Sequence, residues 1–307
     1  MKHPGIAEPV ILDTDIGGDI DDTWALALLL KSPELAPKLI TTATGDTEYR
    51  ARIVCRLLEV AGRTDIPVGI GVRQPSDGPR EQQAEWVRDY ALEDFPGTRH
   101  TDGVNALIRT IMDSPVPVTL IVIGPLTNIA EALRREPAIA ARTRFVAMAG
   151  SLNEHHVTNL TLSVVPGQIA EWNVVKDIPA AQHVFAAPWR EAVITPLDTC
   201  AHVVLDGDRY ARLLCSDDPA MQTVLENYRI WHTHCPGCFP DRQSTVLYDT
   251  VAVHLAHTTR HLVMREMPLR VDDRGFTVAG GRLFHVAEAW RDLAGFEDEL
   301  TARLLVQ

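Results

Sequence analysis

The ten residues Asp13-Thr14-Asp15-Ile16-Gly17-Gly18-Asp19-Ile20-Asp21-Asp22 carry five carboxylates. Acids crowded this closely repel one another, and burying them unpaired is costly. The run follows the apolar stretch Val10-Ile11-Leu12. It precedes Trp24–Leu30, which reads as a buried helix. The acids therefore stand where a core strand ends and a helix begins. A hard divalent cation is the simplest resolution, because Ca²⁺ and Mg²⁺ take oxygen ligands almost exclusively. On an extended strand Asp13 and Asp15 share a face. Asp21 and Asp22 fall at a helix N-terminus, where exposed N–H groups favour carboxylates. Capping explains one or two acids, such as Asp19, and not all five.

Two acidic schemes fit poorly. An EF-hand loop counted from Asp13 needs an oxygen ligand at its fifth place and Glu at its twelfth, where Gly17 and Trp24 stand. A Mg²⁺-dependent dehalogenase-type phosphotransferase uses Asp-x-Asp-x-Thr/Val. Here Gly17 takes the Thr/Val place, and no later acidic pair or Lys of that pattern follows. A third scheme fits. Strand-Asp-Thr-Asp-x-Gly, then Asp-Asp, then an Ala/Leu-rich helix closely resembles the inosine-uridine-preferring nucleoside hydrolases. Gly124-Pro125-Leu126-Thr127-Asn128, Glu171-Trp172-Asn173, Pro196-Leu197-Asp198-Thr199 and Tyr248-Asp249-Thr250-Val251-Ala252 resemble later segments of that family, in the same order.

The resemblance implies a calcium-dependent N-ribohydrolase. Asp15, Asp22, Asp249 and the Thr127 carbonyl would hold the ion, with Asp15 also the base that activates water. Asp21, Asp46, Glu171 and Asn173 would grip the ribose, with Gln168 and His232 as further substrate contacts. Tyr228, Tyr248 or a nearby His would protonate the leaving base, unless an electron-poor base leaves unaided, and Asp13 would support from behind. A ribonucleoside is the implied substrate, and a homodimer or homotetramer the implied assembly. Three departures from the best-known members stand out. The acidic run is two residues longer between Gly17 and Asp21. Asp46 replaces a sugar-binding Asn. Tyr248 replaces a His that can protonate the base. The departures at Asp46 and Tyr248 keep a non-catalytic nucleoside or sugar binder in view as a rival, beside the phosphotransferase.

These residues need elements to position them. Val10–Leu12, Leu39–Ala43, Val68–Ile70, Val118–Ile123, Phe145–Met148 and Ala192–Thr195 read as core strands. Thr23–Leu30, Glu48–Ala61, Gly103–Met112, Leu126–Arg135 and Pro179–Ala186 read as helices between them. This alternation predicts an α/β fold, an open, mostly parallel sheet with helices on both faces. Its ligand crevice lies beyond the carboxyl ends of the strands. After Asp206 the pattern predicts a helical appendage: helices at Asp208–Leu214, Ala220–Thr233 and Val246–Ala256, short strands at Leu262–Arg265 and Arg270–Val271, and a last helix from Glu297. The segment from Arg73 to His100 is polar and irregular, a surface excursion or a flap over the crevice. No Gly- or Ser-rich linker or repeat divides residues 1–307, so a single domain is expected.

The 307 residues are 46% hydrophobic, with a net charge of −12. The acidic balance argues against nucleic acid or an anionic membrane as partner. Residues 1–9 contain no apolar targeting core, and five scattered cysteines do not make a disulfide framework, so a cytoplasmic chain is expected. His232-x-His234-Cys235-x-x-Cys238 has zinc-like spacing. No second Cys/His pair follows, so loop packing or substrate contact is the preferred reading.

Overall fold

The computed structural model describes residues 7–75, 81–156, 164–235 and 237–306. Its strands are β1 (Glu8–Thr14), β2 (Leu35–Thr42), β3 (Val68–Ile70), β4 (Arg99–His100), β5 (Val118–Val122), β6 (Thr143–Met148), β7 (Glu154–His156), β8 (Val164–Pro166), β9 (Glu191–Thr195), β10 (Leu262–Val271), β11 (Thr277–Ala279) and β12 (Arg282–Trp290). Ten of them form one sheet in the order β11-β10-β12-β9-β6-β5-β1-β2-β3-β4. The run from β12 to β4 is parallel throughout. β10 pairs antiparallel with β12 and with β11, closing one edge. β7 and β8 form a separate antiparallel pair.

β1 lies in the middle, between β2 and β5. Strands covered on both faces read as unbroken apolar runs rather than alternating ones. Val10-Ile11-Leu12 and Val118-Thr119-Leu120-Ile121-Val122 are buried without interruption for that reason. On one face of the sheet pack α1 (Asp21–Leu30) and α2 (Thr47–Val60). On the other pack α3 (Gly103–Met112), α4 (Thr127–Arg135) and α5 (Ile139–Arg142). α6 (Trp172–Val175) and α7 (Ile178–Ala186) follow β8, and α8 (Leu197–Cys200) follows β9. α9 (Gly207–Leu214), α10 (Pro219–His232), α11 (Thr250–His257) and α12 (Leu293–Leu304) join α1 on its face.

The expected parallel sheet and flanking helices are present. The C-terminal third differs from its expectation. Its strands extend the main sheet, β10 is one strand of ten residues rather than two short pieces, and β12 was not foreseen. α11 starts later than expected and α12 earlier. No helix among the described residues is long and apolar enough to cross a membrane.

Candidate active site

The acidic run leaves β1 and enters α1 through a loop whose backbone carbonyls are each held from another element. Arg50 Nη1 donates to Ile16 O at 2.8 Å, and its Nε to Thr44 O at 2.7 Å. Gly17 O accepts from the Tyr49 hydroxyl at 3.1 Å and the Gln82 amide at 3.0 Å. Trp231 Nε1 donates to Gly18 O at 3.0 Å, and Gln83 Nε2 to Asp19 O at 3.3 Å. Gly17 sits at φ +99°, and a Cβ there would meet Ile53 and Tyr49 at under 3 Å, so this turn requires glycine. The two extra residues are thus part of a clamped loop rather than a loose insertion.

Within this frame Asp21, Asp22 and Asp249 converge. Each offers a carboxylate oxygen within 4.8 Å of the other two, and all three residues are at least 96% buried. Asp21 and Asp22 open α1, and Asp249 caps α11. The Asp249 amide approaches Asp21 Oδ2 at 3.4 Å, and Thr14 Oγ1 donates to Asp22 Oδ1 at 2.5 Å. Burial pushes all three carboxyls well above the usual range, and their mutual repulsion and the charge of Asp15 push further. Against that, Arg50 lowers Asp22 only modestly. Three buried oxygen donors with no guanidinium or ammonium of the described residues bonded to them suit a hard divalent cation.

The neighbouring strand ends supply the rest. Asp13 Oδ1 accepts from Thr41 Oγ1 at 2.5 Å and Asn128 Nδ2 at 2.8 Å. Burial still raises the Asp13 carboxyl to about 7. Asn128 also donates to Thr42 O and accepts from the Val72 amide, so one side chain ties β1, β2, α4 and the segment after β3. Gly124, just past β5, lies so close that a Cβ there would meet Asp15 N at 2.9 Å. Glu171 caps α6, accepting from the Gly150, Asn173 and Val174 amides at 2.8–3.3 Å. Burial lifts it to about 7 despite those donors. Asn173 Nδ2 donates to Ile123 O and Met148 O, at the carboxyl ends of β5 and β6. Thr127 opens α4, its hydroxyl donating to Asp177 Oδ2 at 2.8 Å and accepting from Gln74.

A buried acid cluster at the carboxyl edge of a parallel sheet has many homes, and comparison with known proteins decides among them. The profile of the inosine-uridine preferring nucleoside hydrolases matches residues 10–297. The chain belongs to this family. It is 31% identical over 240 residues to a pyrimidine-specific ribonucleoside hydrolase of Enterobacter sp. (strain 638), covering 72% of this chain and 70% of that one. A non-specific ribonucleoside hydrolase of Salmonella agona is 34% identical over 231 residues, covering 72% and 71%. Among solved structures, a plant nucleoside hydrolase superposes with a TM-score of 0.78 at 24% identity, covering 98% of this chain and all of that one. The protein is an N-ribosyl hydrolase that cleaves the N-glycosidic bond of ribonucleosides.

With the nucleoside hydrolase fold in place, the residues singled out from sequence sort into three groups. Asp15, Asp22, Asp249, Thr127, Glu171 and Asn173 all lie on the one carboxyl edge. Asp21 stands with Asp22 and Asp249 in the group that could hold an ion, while Asp15 lies outside that trio and acts on each member through its charge. Tyr248 lies beside the cluster, where burial and then the charges of Asp19 and Asp21 raise its phenol strongly. His232 ends α10 half-buried, with Nδ1 lacking a hydrogen-bond partner.

Three of the expected residues are engaged in other bonds or packing. Asp46 caps α2, Oδ1 accepting from the Glu48 and Tyr49 amides, and Oδ2 pairs with Arg73 at 3.0 Å. Both oxygens already accept a bond, which gives an acid in the place of Asn a structural use as a helix cap and ion-pair partner. Tyr228 is fully buried in the α10 core among Tyr210, Cys235 and Cys238, away from the acids. Gln168 is exposed and spends its amide on Thr277 O at 2.8 Å. His232, His234, Cys235 and Cys238 form no zinc-type group among the described residues. Residues 157–163, between Gly150 and Glu171, lie outside the described residues. The sequence did not announce Gln83, Trp231 or Asn128, because their bonds span 64, 213 and up to 115 positions.

Proposed function

We propose that the protein is a calcium-dependent ribonucleoside hydrolase whose ion is held by Asp21, Asp22 and Asp249, with Asp15 and the Thr127 carbonyl completing the set. The observation that carries this is the convergence of three buried carboxylates within 4.8 Å of one another. A bound Ca²⁺ would neutralise that charge and supply Lewis-acid polarisation of a water. Asp15, the half-buried acid beside Gly124, accepts the proton of the attacking water. The water adds to the anomeric carbon as the C–N bond loosens through an oxocarbenium-like state. Glu171 and Asn173 hold ribose hydroxyls at the ends of β5 and β6. Tyr248 donates a hydrogen bond to the departing base.

Relatives named pyrimidine-specific and non-specific both match, so purine and pyrimidine ribonucleosides belong in one substrate panel. A single domain built on one continuous sheet, a cytoplasmic location consistent with five free thiols, and a homodimer or homotetramer complete the reading. Asp15→Ala tests the mechanism: ribose release should fall by roughly 10³-fold, about 4 kcal/mol of barrier. Retention of full activity would overturn it.

A further inference from the structure

The helix that starts at Asp249 ends in a second cluster. His254 and His257 lie one turn apart on α11, and Glu299 on α12 faces them. One donor atom of each stands within 4.8 Å of the other two. His254 is 2% exposed, and its Nε2 has no hydrogen-bond partner. An unsatisfied ring nitrogen this deep in a core is costly, and in a native protein it calls for a partner. Burial also holds this imidazole neutral, its pKa lowered to about 3. The neutral ring is the form that binds metal. His261 follows the helix, its Nε2 3.0 Å from Glu299 Oε2.

We infer that His254, His257 and Glu299 form a second metal site, distinct from the carboxylate centre, that takes a zinc-class ion and clamps α11 against α12. Two imidazoles and one carboxylate are a donor set for zinc rather than for calcium. Ligand atoms around one zinc ion lie roughly 3.4 Å apart, given bonds of about 2.1 Å in a tetrahedron. The present spacing therefore needs only a small contraction. His261 or a water takes the fourth place.

Two guanidiniums already touch Glu299. Arg260 is a largely exposed side chain and swings aside at little cost. Arg303 keeps its two-pronged pair with Glu34, both contacts at 2.8 Å, when Glu299 turns to a metal. The site fixes the far end of the helix whose near end presents Asp249.

The test is equilibrium dialysis of chelator-treated full-length protein against Zn²⁺, with excess Ca²⁺ present to fill the carboxylate centre. One Zn²⁺ per chain is expected, with a rise in Tm. His254→Gln and His257→Asn should each weaken zinc binding by at least tenfold, while Asp249→Asn retains it. His257 is the last residue of α11, so its variant carries the test even where His254→Gln does not fold. Absence of stoichiometric zinc, zinc undiminished in the histidine variants, or zinc lost only with Asp249→Asn would each overturn the inference.

Discussion

At the scale of single residues, the chemistry divides by what each carboxylate can share. Glu171 is buried and accepts from three backbone amides, whereas Asp13 is bonded through Oδ1 alone and its Oδ2 has no partner among the described residues. Asp21, Asp22 and Asp249 have fewer donors than lone pairs, which is why the proposed function assigns the cation to them. Tyr248 replaces a better proton donor. Its phenol stays neutral across the physiological range, since burial and nearby acids oppose ionisation. It can donate a hydrogen bond to a leaving base far more readily than a whole proton. Tyr248→Phe should therefore lower kcat/KM for inosine and uridine by roughly 10²-fold. It should leave 4-nitrophenyl riboside, whose leaving group needs no proton, within a few-fold. Equal losses on both substrates, measured side by side, would remove Tyr248 from the leaving-group role.

At the scale of elements, the site depends on ties between strand ends that are remote in sequence. Asn128 is the hub, with bonds to Asp13, Thr42 O and the Val72 amide. Asn128→Ala leaves those buried groups unsatisfied and should cost about 2–4 kcal/mol. A thermal scan should show Tm lower by roughly 5–10 °C, and an unchanged Tm would show that the hub is dispensable. The acidic run and its four companion segments were readable beforehand because their chemistry is local: strand, turn and helix start lie within a dozen residues. Core strands were readable for a similar reason, since parallel strands buried on both faces leave unbroken apolar runs. β12 was not. Its sequence Arg-Leu-Phe-His-Val-Ala-Glu-Ala-Trp mixes charges into a strand near the sheet edge, and its half-exposed pattern has no clean period. The cap role of Asp46 and the burial of Tyr228 were not readable, because a cap and a core hydroxyl carry the same letters as a sugar ligand and an acid. Only packing tells them apart.

At the scale of the whole molecule, the buried acids set the pH response. In the metal-free protein the folded-state pKa values of Asp13 and Glu171, both about 7, lie above their ordinary values of 3.8 and 4.5. Asp21, Asp22 and Asp249 are raised as well. Between pH 4 and 7 these acids thus bind more protons in the folded chain than in the unfolded one, while His254, held neutral by burial, binds fewer and opposes them at the lower end of the window. Stability falls as pH rises through that window. Calcium reverses the sign for its ligands, because it favours their ionised forms. Tm measured from pH 5 to pH 8 should drop in chelator and hold or rise in calcium. Parallel curves would mean that the acids have another counter-charge.

The central claim is that a cation held by these carboxylates drives ribonucleoside cleavage. Its most direct measurement is reducing-sugar release from a panel of purine and pyrimidine ribonucleosides. The protein is assayed as prepared, after chelation, and after calcium is restored. The account predicts ribose release that chelation abolishes and calcium recovers. Release that continues unchanged in the chelated protein would contradict it.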